Sequence, residues 1–112
     1  MERTPDILKG TLDLLVLKAL SWGPAHGYTV ARWIEAATDD LLAVGEGTLY
    51  PALHRLEERG LVTAQWGASE NNRRAKYYEL TRQGRARLQV EIASWSRYTA
   101  AVSAALSAPA LR

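Results

Sequence analysis

Residues 47–84 read GTLYPALHRLEERGLVTAQWGASENNRRAKYYELTRQG. Leu49, Leu53 and Leu56 repeat at steps of four and three, which puts them on one helical stripe, and Gly60 stands where a helix ends on a left-handed residue. Leu61 to Trp66 and Lys76 to Leu80 are rich in β-branched and aromatic residues, and the nine residues between them are rich in Gly, Ser and Asn. That composition predicts two strands paired as a hairpin. A helix followed at once by a hairpin with an arginine-bearing loop is the order of a winged helix-turn-helix. In that unit one helix enters the DNA major groove and the loop lies against the neighbouring backbone.

Upstream of this stretch, the apolar positions Leu8, Leu12, Leu15, Val16, Ala19 and Leu20 predict a first core helix, broken at Trp22, Gly23 and Pro24. A second helix is expected from His26–Tyr28 to about Ala37, with Val30, Ile34 and Ala37 facing inward, before Asp39 and Asp40 open a linker. Downstream, Thr81 is the candidate N-cap of a long last helix. In it Leu88, Ile92, Trp95, Thr99, Val102 and Leu106 are spaced 4, 3, 4, 3, 4. This is an a/d seam through nearly three heptads. A lone helix would leave such a seam wet, so a second copy of the chain is the simplest cover. The expected fold is therefore mainly α, a winged helix-turn-helix with a two-stranded wing and a long C-terminal dimerisation helix. Residues 1–80 would form the DNA-binding part and 81–112 the dimerisation helix, as one compact unit.

A chain of 112 residues has room for one core. It has no cysteine, which excludes disulfides and thiolate metal sites and suits a reducing cytosol. The most apolar run, Leu14 to Leu20, is far below a membrane span, and MERTPD lacks the apolar centre of a signal peptide, so a cytoplasmic protein without membrane contact is expected. The net charge of +2 is uninformative, but its distribution is not. Residues 1–70 hold six Lys/Arg against ten Asp/Glu, residues 71–87 six against one, and residues 88–112 two against one. The basic cluster is Arg73, Arg74, Lys76, Arg82, Arg85 and Arg87. A charge run is more often a solvated face than a site, but at a wing it matches the footprint of phosphates, whose neutralisation releases counterions.

The strings GTLYPALHRLEERGL and RRAKYYELTRQGR, with His26-Gly27-Tyr28, resemble the PadR family of bacterial transcription regulators over about Leu8 to Trp95. The resemblance implies that the third helix is the recognition helix. It also implies an earlier start for that helix, near Gly45 or Glu46, where PadR-like sequences often have serine and proline. If Thr48 were the N-cap, Pro51 would fall at the third helical position, where an N–H has no intrahelical partner. We follow the family start, with a strained or partly 3₁₀ first turn.

For DNA contact the residues singled out are Thr48, Tyr50, His54 and Arg55 on the third helix and Arg73, Arg74 and Lys76 in the wing, beside Asn71 and Asn72. His26 joins them as a cap or phosphate contact at a helix start, and Lys9 as a weaker phosphate contact. Tyr50 reads equally as a packing residue, and Arg55 could pair instead with Glu58, one turn away. On the last helix, Leu88, Ile92, Trp95, Thr99, Val102 and Leu106 form the expected dimer interface. There the resemblance implies a pocket for a flat aromatic effector, with Trp95 central, although a tryptophan that only packs the seam is an equal reading.

Catalysis finds no support: His26 and His54 sit in different helices, and the pairs Asp39/Asp40 and Glu57/Glu58 are sequential neighbours that diverge. No metal or other cofactor is expected, because ligands at usable spacing are missing. The expected function is a transcriptional repressor, homodimeric on double-stranded DNA and released by an effector. The rival reading is a winged-helix protein-interaction module whose basic wing meets an acidic partner.

Overall fold

A computed structural model describes residues 10–68 and 73–111. Its elements run α1 (Thr11–Leu20), β1 (Ala25–His26), α2 (Gly27–Ala37), α3 (Glu46–Glu58), β2 (Val62–Ala68), β3 (Arg74–Leu80) and α4 (Arg82–Ser107). The expected helices and hairpin are all present, and both strands extend further toward the wing tip than the apolar pattern implies. The hairpin gains a third member. β1 pairs antiparallel with β3 through Ala25 and Tyr78 and through His26 and Tyr77, giving the order β1-β3-β2. Two residues leave too short a pattern for sequence periodicity to register.

The core is the meeting of these stripes. Val16, Leu17 and Leu20 of α1, Val30 and Ile34 of α2, Leu49, Ala52, Leu53 and Leu56 of α3, and Val62, Tyr78 and Leu80 of the sheet are all buried. Leu88 of α4 is buried with them at 3% exposure, which corrects its expected place in the dimer interface. The heptad spacing holds, but the first seam position is consumed by the chain's own core and the open seam starts at Ile92.

The start of α3 follows the earlier boundary. Gly45 is the N-cap, and its carbonyl oxygen accepts from both Thr48 N–H (3.1 Å) and Leu49 N–H (3.0 Å). The shared acceptor gives the first turn partial 3₁₀ character. Pro51 lies inside the helix. It cannot donate to the Gly47 carbonyl, but that turn faces solvent, where water can take the acceptor. At the other end Gly60 has φ +75°, while Leu61 N–H donates to Leu56 O (2.9 Å) and Gly60 N–H to Glu57 O (3.0 Å). This Schellman closure turns the chain straight into β2.

One junction fixes α4 to the winged helix. The Thr81 hydroxyl accepts from Gly84 N–H (2.9 Å) and donates to Gly60 O (2.7 Å), and Thr81 N–H donates to Leu61 O (3.1 Å). Gly84 is buried so close to Leu61 that a Cβ there would overlap the Leu61 carbonyl oxygen. The first two turns of α4 thus belong to the core, and the helix leaves it beyond Leu88.

Candidate nucleic-acid interface

Three elements bound an open groove of about 910 Å³: the start of α2, one side of α3, and the inner face of the wing. α3 contributes Tyr50 and His54, one turn apart as expected, β1 contributes His26, and the first turn of α2 contributes Tyr28 and Thr29. The wing contributes Trp66 and Lys76 from the face that meets α3, and Tyr77 from the other face of the same strand, beside β1. Tyr50 reaches across to the α2 backbone, where a Cβ on Gly27 would stand 2.9 Å from the ring and from its hydroxyl. Gly27 is therefore the space into which Tyr50 fits. The tyrosine packs with one edge against α2 and stays 38% exposed.

His26 is the N-cap of α2. Its Nδ1 accepts from Thr29 N–H at 3.3 Å, and its ring meets Tyr77 edge-on at 5.6 Å. The same residue is paired in the sheet, so it ties the helix start to the root of the wing. Lys76 sits opposite α3, with its Nζ 3.9 Å from Glu57 and 5.4 Å from the Tyr78 ring. The Arg74 guanidinium lies over the Trp66 ring at 4.6 Å, and Arg73 is exposed beside it.

The rest of the expected set lies apart from the groove. The Thr48 hydroxyl donates to Gly45 O at 3.0 Å, closing its own helix turn at the surface. Arg55 pairs not with Glu58 but with Asp13 of α1 at 2.9 Å, a contact across 42 positions that no local pattern announces. Lys9, Asn71 and Asn72 fall outside the described residues. Sequence reasoning missed Trp66, Tyr28 and Tyr77. The signal for Trp66 was available in the strand alternation, since it shares a face with Ala64 and stands opposite Lys76.

Comparison with known proteins agrees with this geometry. Residues 16–90 match the Transcriptional regulator PadR-like family. The chain belongs to that family. It is 30% identical over 91 residues to a protein of Lysinibacillus sphaericus, covering 81% of this chain and 84% of that one. It is 35% identical over 75 residues to the transcriptional regulator YqjI of Escherichia coli, covering 67% of this chain but only 34% of YqjI. Among solved structures, the PadR-like transcriptional regulator of Bacillus cereus superposes with a TM-score of 0.77 at 27% identity, over 91% of this chain and 97% of that one.

On this PadR-like chain a second surface runs along α4. Ile92, Trp95 and Val102 are each a little over a third exposed, and Leu106 is 83% exposed. The Thr99 hydroxyl donates to Trp95 O (2.9 Å) and Ser96 O (3.2 Å), so its polar group is spent within the helix. Trp95 and Tyr98, with ring centroids 6.2 Å apart, border a shallow groove of about 470 Å³ against the start of α1, which Gly10, Thr11, Leu14, Glu91 and Ser94 complete. Among the described residues no helix is long and apolar enough to cross a membrane.

Proposed function

We propose that this PadR-like regulator is a homodimeric DNA-binding repressor that places α3 in the major groove and the wing on the adjoining backbone. The single observation that carries the reading is the convergence of His26, Tyr50, His54 and Lys76, from three elements, on one groove. Tyr50 and His54 offer hydrogen-bonding groups to base edges or phosphates, while Lys76, Arg73 and Arg74 offer charge to phosphates. Thr48 extends the contact at the start of α3. Arg55 takes part by exchanging Asp13 for a phosphate, an exchange that costs little because exposed ion pairs contribute about 0–1 kcal/mol. The His26 ring, which already caps α2, supports the root of the wing more than it reads DNA.

The dimer forms along Ile92, Trp95, Thr99, Val102 and Leu106 of α4. A pseudo-palindromic operator then presents two half-sites about 34 Å apart, or a multiple of that, to the two α3 helices. A flat aromatic effector bound between the Trp95 side chains changes that separation, and release from DNA follows to the extent that the effector prefers the altered dimer.

A titration of the DNA upstream of the chain's own gene at several salt concentrations tests the reading. Replacing Arg73 and Arg74 by alanine should weaken binding to all sequences alike and flatten the slope of log K against log salt by about 0.9 for each phosphate that is no longer neutralised. An unchanged slope removes the wing from the interface. A parent chain that ignores DNA but captures acidic polypeptides would establish the protein-interaction module instead.

A further inference from the structure

The groove between α3 and the wing holds more aromatic surface than a duplex backbone can use. Tyr28 is 67% exposed and Trp66 58% exposed, and both line it with Tyr50 and His54. The outer surface of a double helix is sugar and phosphate; its bases show edges in the grooves and keep their faces stacked on one another. Exposed rings in a cationic trough are instead the pattern that takes unpaired bases, each of which has a π-face to stack. The charge needed to follow a strand is in place, because Lys76 lies in the trough and Arg74 rests on the Trp66 ring. Lys76 is held 3.9 Å from Glu57, a separation at which a phosphate can replace the carboxylate.

We propose that this groove binds unpaired nucleotides of a DNA strand, with a base stacked on the Trp66 face turned away from Arg74 and the strand's phosphates at Lys76 and Arg74. The inference rests on the proposed DNA-binding reading and extends it, since a regulator with such a trough would engage melted or single-stranded DNA in addition to its duplex operator. Trp66 is then the residue that separates the two substrates. Lys76 serves both.

The test uses the full chain and three labelled probes: a twelve-nucleotide oligo-dT, a random duplex of the same length, and the duplex operator. The parent should bind oligo-dT at least as tightly as the random duplex. Trp66→Ala should weaken oligo-dT binding about tenfold and both duplexes by a clearly smaller factor, the duplex loss arising only from Arg74, which rests on that ring. Trp66→Phe, which keeps a ring and the strand pairing, should retain most of the single-strand affinity and guards against a folding defect in the alanine variant. Lys76→Ala should weaken all three probes. Failure to bind oligo-dT while the operator is bound overturns this proposal and leaves the duplex reading standing. Failure on every probe overturns both. An equal loss on single strand and duplex in Trp66→Ala overturns the single-strand role.

Discussion

At the scale of single residues, the groove depends on one missing methyl group. Gly27 has no side chain, and the Tyr50 ring occupies the space a Cβ would need. Because the clash is with the far end of a side chain that can swing outward, Gly27→Ala should leave the melting temperature nearly unchanged; alanine is also the better helix former. The displaced Tyr50 hydroxyl would no longer reach DNA, and a hydrogen bond to a charged group contributes about 1.5–3 kcal/mol, so operator affinity should fall at least tenfold. A titration beside a thermal melt checks this, and unchanged affinity would make Tyr50 a packing residue only. Trp95 is the second single-residue question. If it stacks on a flat effector, Trp95→Ala should weaken that compound about tenfold while operator affinity without ligand stays the same. Compounds that displace the protein from DNA equally well in parent and variant would place sensing elsewhere.

Among the elements, the joint between the wing and α4 is where stability is most exposed to substitution. Gly84 packs on a backbone carbonyl, which cannot step aside as a tyrosine ring can. Gly84→Ala should therefore cost about 3 kcal/mol, the upper end of overpacking penalties, and lower the melting temperature by more than about 10 °C. Thr81→Ser keeps both hydroxyl bonds and should melt close to the parent. A Gly84→Ala variant that melts like the parent would show that α4 shifts freely on the hairpin. These elements differ in how legible they were. α2 followed from apolar spacing, because it presents one face to the core; the long run of α4 followed from a heptad seam that the chain's own core leaves uncovered, and the hairpin from its β-branched and aromatic residues around a polar loop. The Thr81 cap and the Gly60 stop followed from the chemistry of single residues. β1 did not, since its pairing with β3 is decided by tertiary contact. The start of α3 came from family resemblance, because Gly45 offers no side-chain cap to read.

For the molecule as a whole, the site was partly legible for a related reason. His54 and Tyr50 share a helix face by local geometry, so their convergence could be foreseen, whereas the Asp13–Arg55 pair and the Trp66–Arg74 stack depend on how separate elements meet. Periodicity also spoke for the seam on α4, yet it could not say where the core ends and the open face begins. The fold draws that line between Leu88 at 3% exposure and Ile92 at 37%. The distinction governs how variants of the seam should behave. Leu88→Asp would place a charge in the chain's own core and unfold the protein, so its loss of dimer would be uninformative. Ile92→Asp and Val102→Asp instead lie on the open part, where the monomer tolerates a charge and only the paired helices would bury it. Two uncompensated carboxylates per chain, four in the paired seam, should cost the dimer several kcal/mol each, while far-UV circular dichroism and the melt of the monomer stay native-like. Sedimentation at micromolar concentration should then show a folded monomer. Its operator binding should drop far more than its binding to a single half-site, because two α3 helices no longer share one rigid separation. A double variant that still sediments as a dimer would mean that another surface joins the subunits, and with it the proposed link between a ligand at Trp95 and the spacing of the recognition helices would fail.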